Sequence, residues 1–158
     1  MTIIGRGLRY CRDWFKRLLK LARSLYYFGK CDLYVHGRIQ VGDRRKIRVG
    51  KYCSINGGVI IQGFHDIRIG NGVVLSPNCM ILDGNLDYDK LAATGKRAHV
   101  GAKVELEDNV WIGAGAIILP GVKIGAGSVV GAGAVVTRSF PADVVIAGNP
   151  AEIVRRLR

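Results

Sequence analysis

Proline and histidine are scarce, at four and three in 158 residues, and no apolar run reaches the roughly 18 residues that a membrane-spanning helix needs. So little proline beside 22 glycines and 49% hydrophobic residues excludes a disordered chain and suits a fold with many tight corners. The four cysteines do not make a disulfide set. Cys53 and Cys79 fall at the small places of the repeat described below, where cysteine behaves as a small buried hydrophobe, and Cys11 and Cys31 lie outside it. That usage points to a reducing, cytoplasmic setting. No cleavable signal peptide is visible, because the first apolar residues are interleaved with arginine and lysine. The length fits one domain.

Acidic residues are scarcest at the N-terminus. Residues 1–30 hold Arg6, Arg9, Arg12, Lys16, Arg17, Lys20, Arg23 and Lys30 against the single acid Asp13, which puts +7 of the total +12 in this segment. Leu8, Cys11, Phe15, Leu18, Leu19, Ala22, Leu25 and Tyr26 recur there at steps of three and four, the pattern of an amphipathic helix with a cationic face. Two uses stay open. Residues 4–27 can lie on an anionic membrane surface, with Trp14 and Phe15 adding apolar insertion, at the inner face of the cytoplasmic membrane. Alternatively the helix covers the open first coil of a solenoid or packs on a neighbouring subunit. Nucleic acid is not an expected partner, since Tyr10, Trp14, Tyr26, Tyr27 and Phe28 form no stacking platform and no nucleic-acid motif is present.

What the chain has in abundance is one short repeat. Windows opening at Leu106, Ile112, Ile118, Ile124 and Val130 share a six-residue pattern, with Val110, Ala116, Val122, Ser128 and Ala134 in the fifth place. A period of six matches neither an α-helix nor an alternating strand and is the signature of a parallel β-helix. Three hexads make one triangular coil of roughly 18 residues. Traced backwards, Val49, Ile55 and Ile61 open one coil and Ile69, Leu75 and Ile81 the next. The steps Val41 to Val49 and Ile61 to Ile69 are eight residues long, and the next step at that corner, Ile81 to Leu106, is 25. Residues 82–103 therefore leave the prism as a long loop, and such an excursion is more often functional than structural. The resulting division is a basic helix over 1–30 and a β-helix domain over 31–158 with a tail at 147–158.

The run NVWIGAGAIILPGVKIG from Asn109 to Gly125, VGAGAVVTR from Val130 to Arg138 and AGNPA from Ala147 to Ala151 resemble the hexapeptide-repeat acyltransferases, in particular their sugar O-acetyltransferase branch. The resemblance covers roughly residues 33–158 and implies a left-handed β-helix, a homotrimer, and acetyl-CoA in the groove between adjacent subunits. Handedness comes from the resemblance alone, because ordinary crossovers are right-handed. By the same resemblance Ala114, Ala132, Thr137 and Arg138 line the groove and Arg155 meets the nucleotide phosphates. Glu152 stands where the family commonly has lysine or arginine. Asn56, in CSIN from Cys53, corresponds to an asparagine that contacts the acceptor sugar, and Trp111 to an aromatic beside the reaction site. Between inward Val110 and Ile112, Trp111 should project outward, where a ligand or partner chain must cover its ring.

Attack of a sugar hydroxyl on a thioester needs a general base and donors for the oxyanion. In the family the long loop opens with a pattern like NHDYD. Here Asn85 to Asp89 reads NLDYD, so Leu86 stands where the catalytic histidine belongs. His99 closes the same loop, and His65, in HDIRIG, resembles the His-Asp pair of the nucleotide-sugar N-acetyltransferases; both are candidate bases. His36 lies too far from the loop. Asp87 is the weaker candidate, because an unperturbed carboxylate near pH 4 is a poor base. Three readings follow: an acetyl-CoA-dependent acetyltransferase acting on a sugar hydroxyl or amine of a surface polysaccharide or its precursor; a catalytically impaired trimer acting as a scaffold; and a zinc enzyme like the γ-class carbonic anhydrases. The first is preferred. The third needs closely spaced histidines, and here the steps are 29 and 34 residues, so no metal is expected.

Overall fold

The computed structural model describes residues 3–30 and 32–157, with side chains from Phe15 onward. Cys31 and the side chains of Leu8, Tyr10, Cys11 and Trp14 lie outside the described residues. After helix α1 (Ile3–Phe28), the chain winds through β1 (Tyr34–Val35), β2 (Gln40–Val41) and β3 (Ile47–Val49), then β4 (Ser54–Ile55), β5 (Ile60–Ile61) and β6 (Ile67–Ile69). The third coil holds β7 (Val74–Leu75), β8 (Met80–Ile81) and, after an excursion, β11 (Val104–Leu106). β12 (Trp111–Ile112), β13 (Ile117–Ile118) and β14 (Lys123–Ile124) form the fourth, and β15 (Val129–Val130) and β16 (Val135–Val136) begin the fifth. Each strand pairs in parallel with its counterpart one coil away, giving three sheets. Face A stacks β1, β4, β7, β12 and β15; face B stacks β2, β5, β8, β13 and β16; face C stacks β3, β6, β11 and β14.

The hexad pattern is the cause of this geometry. Within each strand pair the second residue points inward, so Ile55, Leu75, Ile112, Val130 and Ile146 stack on face A, and Ile61, Ile81, Ile118 and Val136 on face B, all buried. Full burial of one such side chain contributes about 1.5–3 kcal/mol relative to exposure. The fifth-place residues Cys53, Cys79, Val110, Ala116, Val122, Ser128 and Ala134 are buried at the corners, as their size predicts. Burial pushes the Cys79 thiol up to about 12. The corner between faces C and A turns through a left-handed residue in every coil: Tyr52, Gly72, Asn109, Gly127 and Asp143. Glycine, asparagine and aspartate tolerate that conformation best, and a Cβ on Gly127 would also fall 2.5 Å from Asp143 Oδ1.

The lengthened steps fall on one corner, between faces B and C. The first holds a 3-10 turn at Arg44–Lys46, and the third opens into the excursion. The excursion is more ordered than the loop expected over 82–103. It is a hairpin of β9 (Gly84–Leu86) and β10 (His99–Gly101), antiparallel, with α2 (Tyr88–Thr94) at its tip. The tail is likewise ordered: β17 (Val144–Gly148) continues face A, and β18 (Ala151–Arg156) folds back on it antiparallel, with the AGNPA segment as the turn. The outer side of face C carries a register of Arg48, Arg68, Glu105 and Lys123, with ion pairs from Asp66 to Arg68 (3.1 Å) and Arg48 (3.5 Å). A shallow depression of about 580 Å³ there holds none of the sequence-predicted site residues.

Helix α1 meets the first coil with Tyr27 and Phe28, and Ser24 is buried on the same side. Ser24 Oγ donates to the Lys30 carbonyl at 2.5 Å, and the Ile39 N–H donates to the Tyr27 hydroxyl at 3.4 Å. Covering the open coil is thus one of its roles.

Candidate active site

Two clusters of sequence-predicted residues form, on different edges of the prism. The first sits at the corner between faces B and C. Asp83, at the root of the hairpin, is fully buried, and its two carboxylate oxygens accept the Phe64 N–H (2.9 Å) and the His65 N–H (2.7 Å). Charge-assisted bonds of this kind are about twice as strong as neutral ones. They hold the eight-residue turn of the coil below. Gln62 Oε1 accepts the Gly84 N–H at 3.1 Å, and Lys46 Nζ donates to the Phe64 carbonyl. The hairpin lies so close to this turn that a Cβ on Gly101 would stand 2.7 Å from His65 Cδ2 and 2.0 Å from the Asp83 carbonyl oxygen. Antiparallel pairing sets His99 opposite Leu86, and the His99 ring lies 4.3 Å from the Phe64 ring at 33°. His65 and His99 are therefore gathered into one place, 34 residues apart in sequence. Asp87 is the N-cap of α2, where its carboxylate accepts the Lys90 N–H at 2.9 Å.

The second cluster follows face A and its corner with face B. Trp111 projects outward as expected, half exposed, and its indole N–H donates to Ser76 Oγ at 2.9 Å. Asn56 lies one coil below Ser76, and its amide donates to the Leu75 carbonyl at 2.9 Å, a turn-holding bond. Ala114 and Ala132 occupy the same corner in the next two coils, joined by the Gly133 N–H bonded to the Ala114 carbonyl. On the outer side of face A, Trp111, Val129, Val145 and Arg155 lie in register on adjacent strands. Three strand spacings of about 4.8 Å separate the indole from the arginine. Face B lies between this edge and the histidines, so one chain does not bring the two clusters together.

Thr137 and Arg138 follow β16 at the far end of the solenoid. Arg138 lies over the Phe140 ring, 4.7 Å from its centroid, and pairs with Glu152. The residue that departs from the family pattern thus holds one of the predicted donor-groove cations. His36 is on the first coil, away from the hairpin, with Nε2 3.1 Å from Ser54 Oγ; burial, with Lys20 and Arg23 nearby, holds its pKa below the ordinary value. Sequence reasoning missed Asp83, Phe64 and Ser76. An acid two places after the inward Ile81, at the start of an excursion, was the available signal for Asp83.

Residues 103–138 match the family described as Bacterial transferase hexapeptide (six repeats). The galactoside O-acetyltransferase of Lactococcus lactis subsp. lactis (strain IL1403) is 43% identical over 109 residues, 68% of this chain and 51% of that protein. Among solved structures, a hexapeptide-repeat-containing acetyltransferase from Vibrio cholerae O1 biovar eltor, complexed with acetyl coenzyme A, is 30% identical with a TM-score of 0.73, over 87% of this chain and 75% of its own. A maltose O-acetyltransferase from Clostridium difficile 630 is 34% identical with a TM-score of 0.74, over 80% and 67%. The chain spans about half the length of the curated relatives it matches. It belongs to the hexapeptide-repeat, left-handed β-helix acyltransferase family, among homologues of the sugar O-acetyltransferases.

Proposed function

We propose that the protein is an acetyl-CoA-dependent acetyltransferase that acylates a sugar hydroxyl, or amine, of a surface polysaccharide or its precursor in the cytoplasm. The observation that carries this reading is the outer ladder Trp111–Val129–Val145–Arg155 beside the small-residue corner at Ala114 and Ala132. It offers an apolar track with an aromatic at one end and a cation at the other. An extended thioester with a nucleotide tail fits that order: acetyl group towards Trp111, phosphates at Arg155.

In this reading a homotrimer completes the site by setting the hairpin corner of one subunit against the Trp111 edge of the next. His99 serves as general base. It takes the proton as the sugar oxygen forms a bond to the thioester carbonyl carbon. Backbone N–H groups of the neighbouring corners hold the oxyanion. The C–S bond then breaks, and the proton passes to the departing CoA thiolate. Asn56 and Ser76 face the acceptor. Leu86, where the family has its histidine, favours the second reading, a catalytically impaired trimer that acts as a scaffold.

Calorimetry with acetyl-CoA, on the wild type and on Arg155→Ala, separates the two, with light scattering to give the subunit count. Micromolar binding weakened by the substitution supports the enzyme. No binding to the wild-type oligomer removes it and leaves the scaffold.

A further inference from the structure

The face of α1 that meets the solenoid is not its most apolar one. Ser24, Tyr27 and Phe28 pack inward, while Phe15, Leu18, Leu19, Leu25 and Tyr26 are 39% to 68% exposed, with Ala22 exposed between them. At 3.6 residues per turn these six side chains form one stripe on the outward side of the helix. An exposed apolar patch of this size marks a surface that something covers.

We propose that this stripe docks the protein in the plane of an anionic lipid bilayer. Charge selects that occupant. Residues 15–30 contain Lys16, Arg17, Lys20, Arg23 and Lys30 and no acid. Lys16 and Arg23, two turns apart, border the stripe where headgroup phosphates would lie. Lys16, Arg17 and Lys20 also line, with Tyr34, a hollow of about 340 Å³ between the helix and β1, a cationic recess open to a phosphate group. The same helix of a second copy is a poor cover, since residues 15–30 hold five basic side chains and no acid to pair with them. The helix lies along the surface and does not cross it, because no helix among the described residues is long and apolar enough to span a membrane. This surface is separate from the acetyl-transfer reading and does not depend on it. It would hold the hairpin corner near an acceptor carried on a lipid.

The test is flotation of the full-length protein with vesicles of phosphatidylcholine alone or with phosphatidylglycerol added. The wild type should bind the anionic vesicles and lose most binding on the neutral ones. The double variant Leu18→Glu/Leu25→Glu should lose about tenfold or more in vesicle affinity, and Lys16→Ala/Arg23→Ala should lose several-fold and become less sensitive to salt. Removing the same charge from face C, with Arg48→Ala/Arg68→Ala, should leave binding nearly intact. Circular dichroism shows that each variant is folded. Absence of wild-type binding overturns the proposal, as does equal binding by the stripe variant. A change in subunit count in Leu18→Glu/Leu25→Glu without vesicles also overturns it, because the stripe would then be a protein interface. Acetyl-CoA calorimetry on the same variants reports the donor site separately, so failure there leaves the vesicle result standing.

Discussion

His99 and Leu86 face each other across the antiparallel hairpin, with their Cβ atoms about 5 Å apart on one side of it. The histidine that the family pattern places at 86 is absent, yet an imidazole stands at the adjoining position of the same two-stranded arm. Both positions present side chains to the same space, so moving the base between them is a small displacement.

This leads to a swap test. His99→Ala should lower kcat by about 10² to 10⁴ with little change in KM for acetyl-CoA. Adding Leu86→His to that variant should restore at least about tenfold of the loss. Steady-state kinetics on the two variants measure both effects, and an unchanged rate in His99→Ala would remove His99 as the base.

Asp83 holds the turn on which the Phe64 ring meets His99. Asp83→Ala leaves two N–H groups without their acceptor, at a cost of about 1–3 kcal/mol each where they remain buried. Urea denaturation should show that loss. Asp83→Asn keeps one acceptor oxygen and should fall between wild type and alanine in stability. If both variants match the wild type, the carboxylate is not what orders the turn.

Glu152 neutralises Arg138 at the end of the solenoid. Both side chains are more than half exposed, so the pair itself adds little stability. Glu152→Gln frees the guanidinium and removes a negative charge near the proposed phosphate end. Acetyl-CoA affinity by calorimetry should rise several-fold at low salt, and the gain should shrink as salt is added. A weaker affinity would show that Glu152 itself contacts the donor.

His36 supplies the pH dependence. Its folded pKa lies below the ordinary 6.5 through burial and the nearby charges of Lys20 and Arg23. The unfolded chain therefore binds the proton more readily. Stability from this group is full above pH 6.5, declines as pH falls towards the lowered folded value, and is flat below that. His36→Gln removes the titration, so thermal melts at pH 7.5 and 5.5 should differ less in the variant. An unchanged difference would assign the acid sensitivity to other groups.

The repeat determined the solenoid, because each hexad places its own inward aliphatic and its own corner residue through local backbone geometry. Leu106, Ile112 and Ile118 announce a three-sided coil without reference to anything far away, and the eight-residue steps before Val49 and Ile69 mark the corner from which the excursion leaves. The outward course of Trp111 was legible for the same reason. Tertiary structure decided what depends on stacking between coils and on elements that pack from outside the repeat. No periodicity places Asp83 against the Phe64–His65 turn, folds His99 back opposite Leu86, or lays Glu152 on Arg138; these contacts join residues 13 to 19 apart through coil register and hairpin pairing. Nor does an amphipathic pattern say which face a helix turns to its own protein. In α1 the side chains of Ser24 and Tyr27 find hydrogen-bond partners near the first coil, so the more apolar stripe is left facing outward.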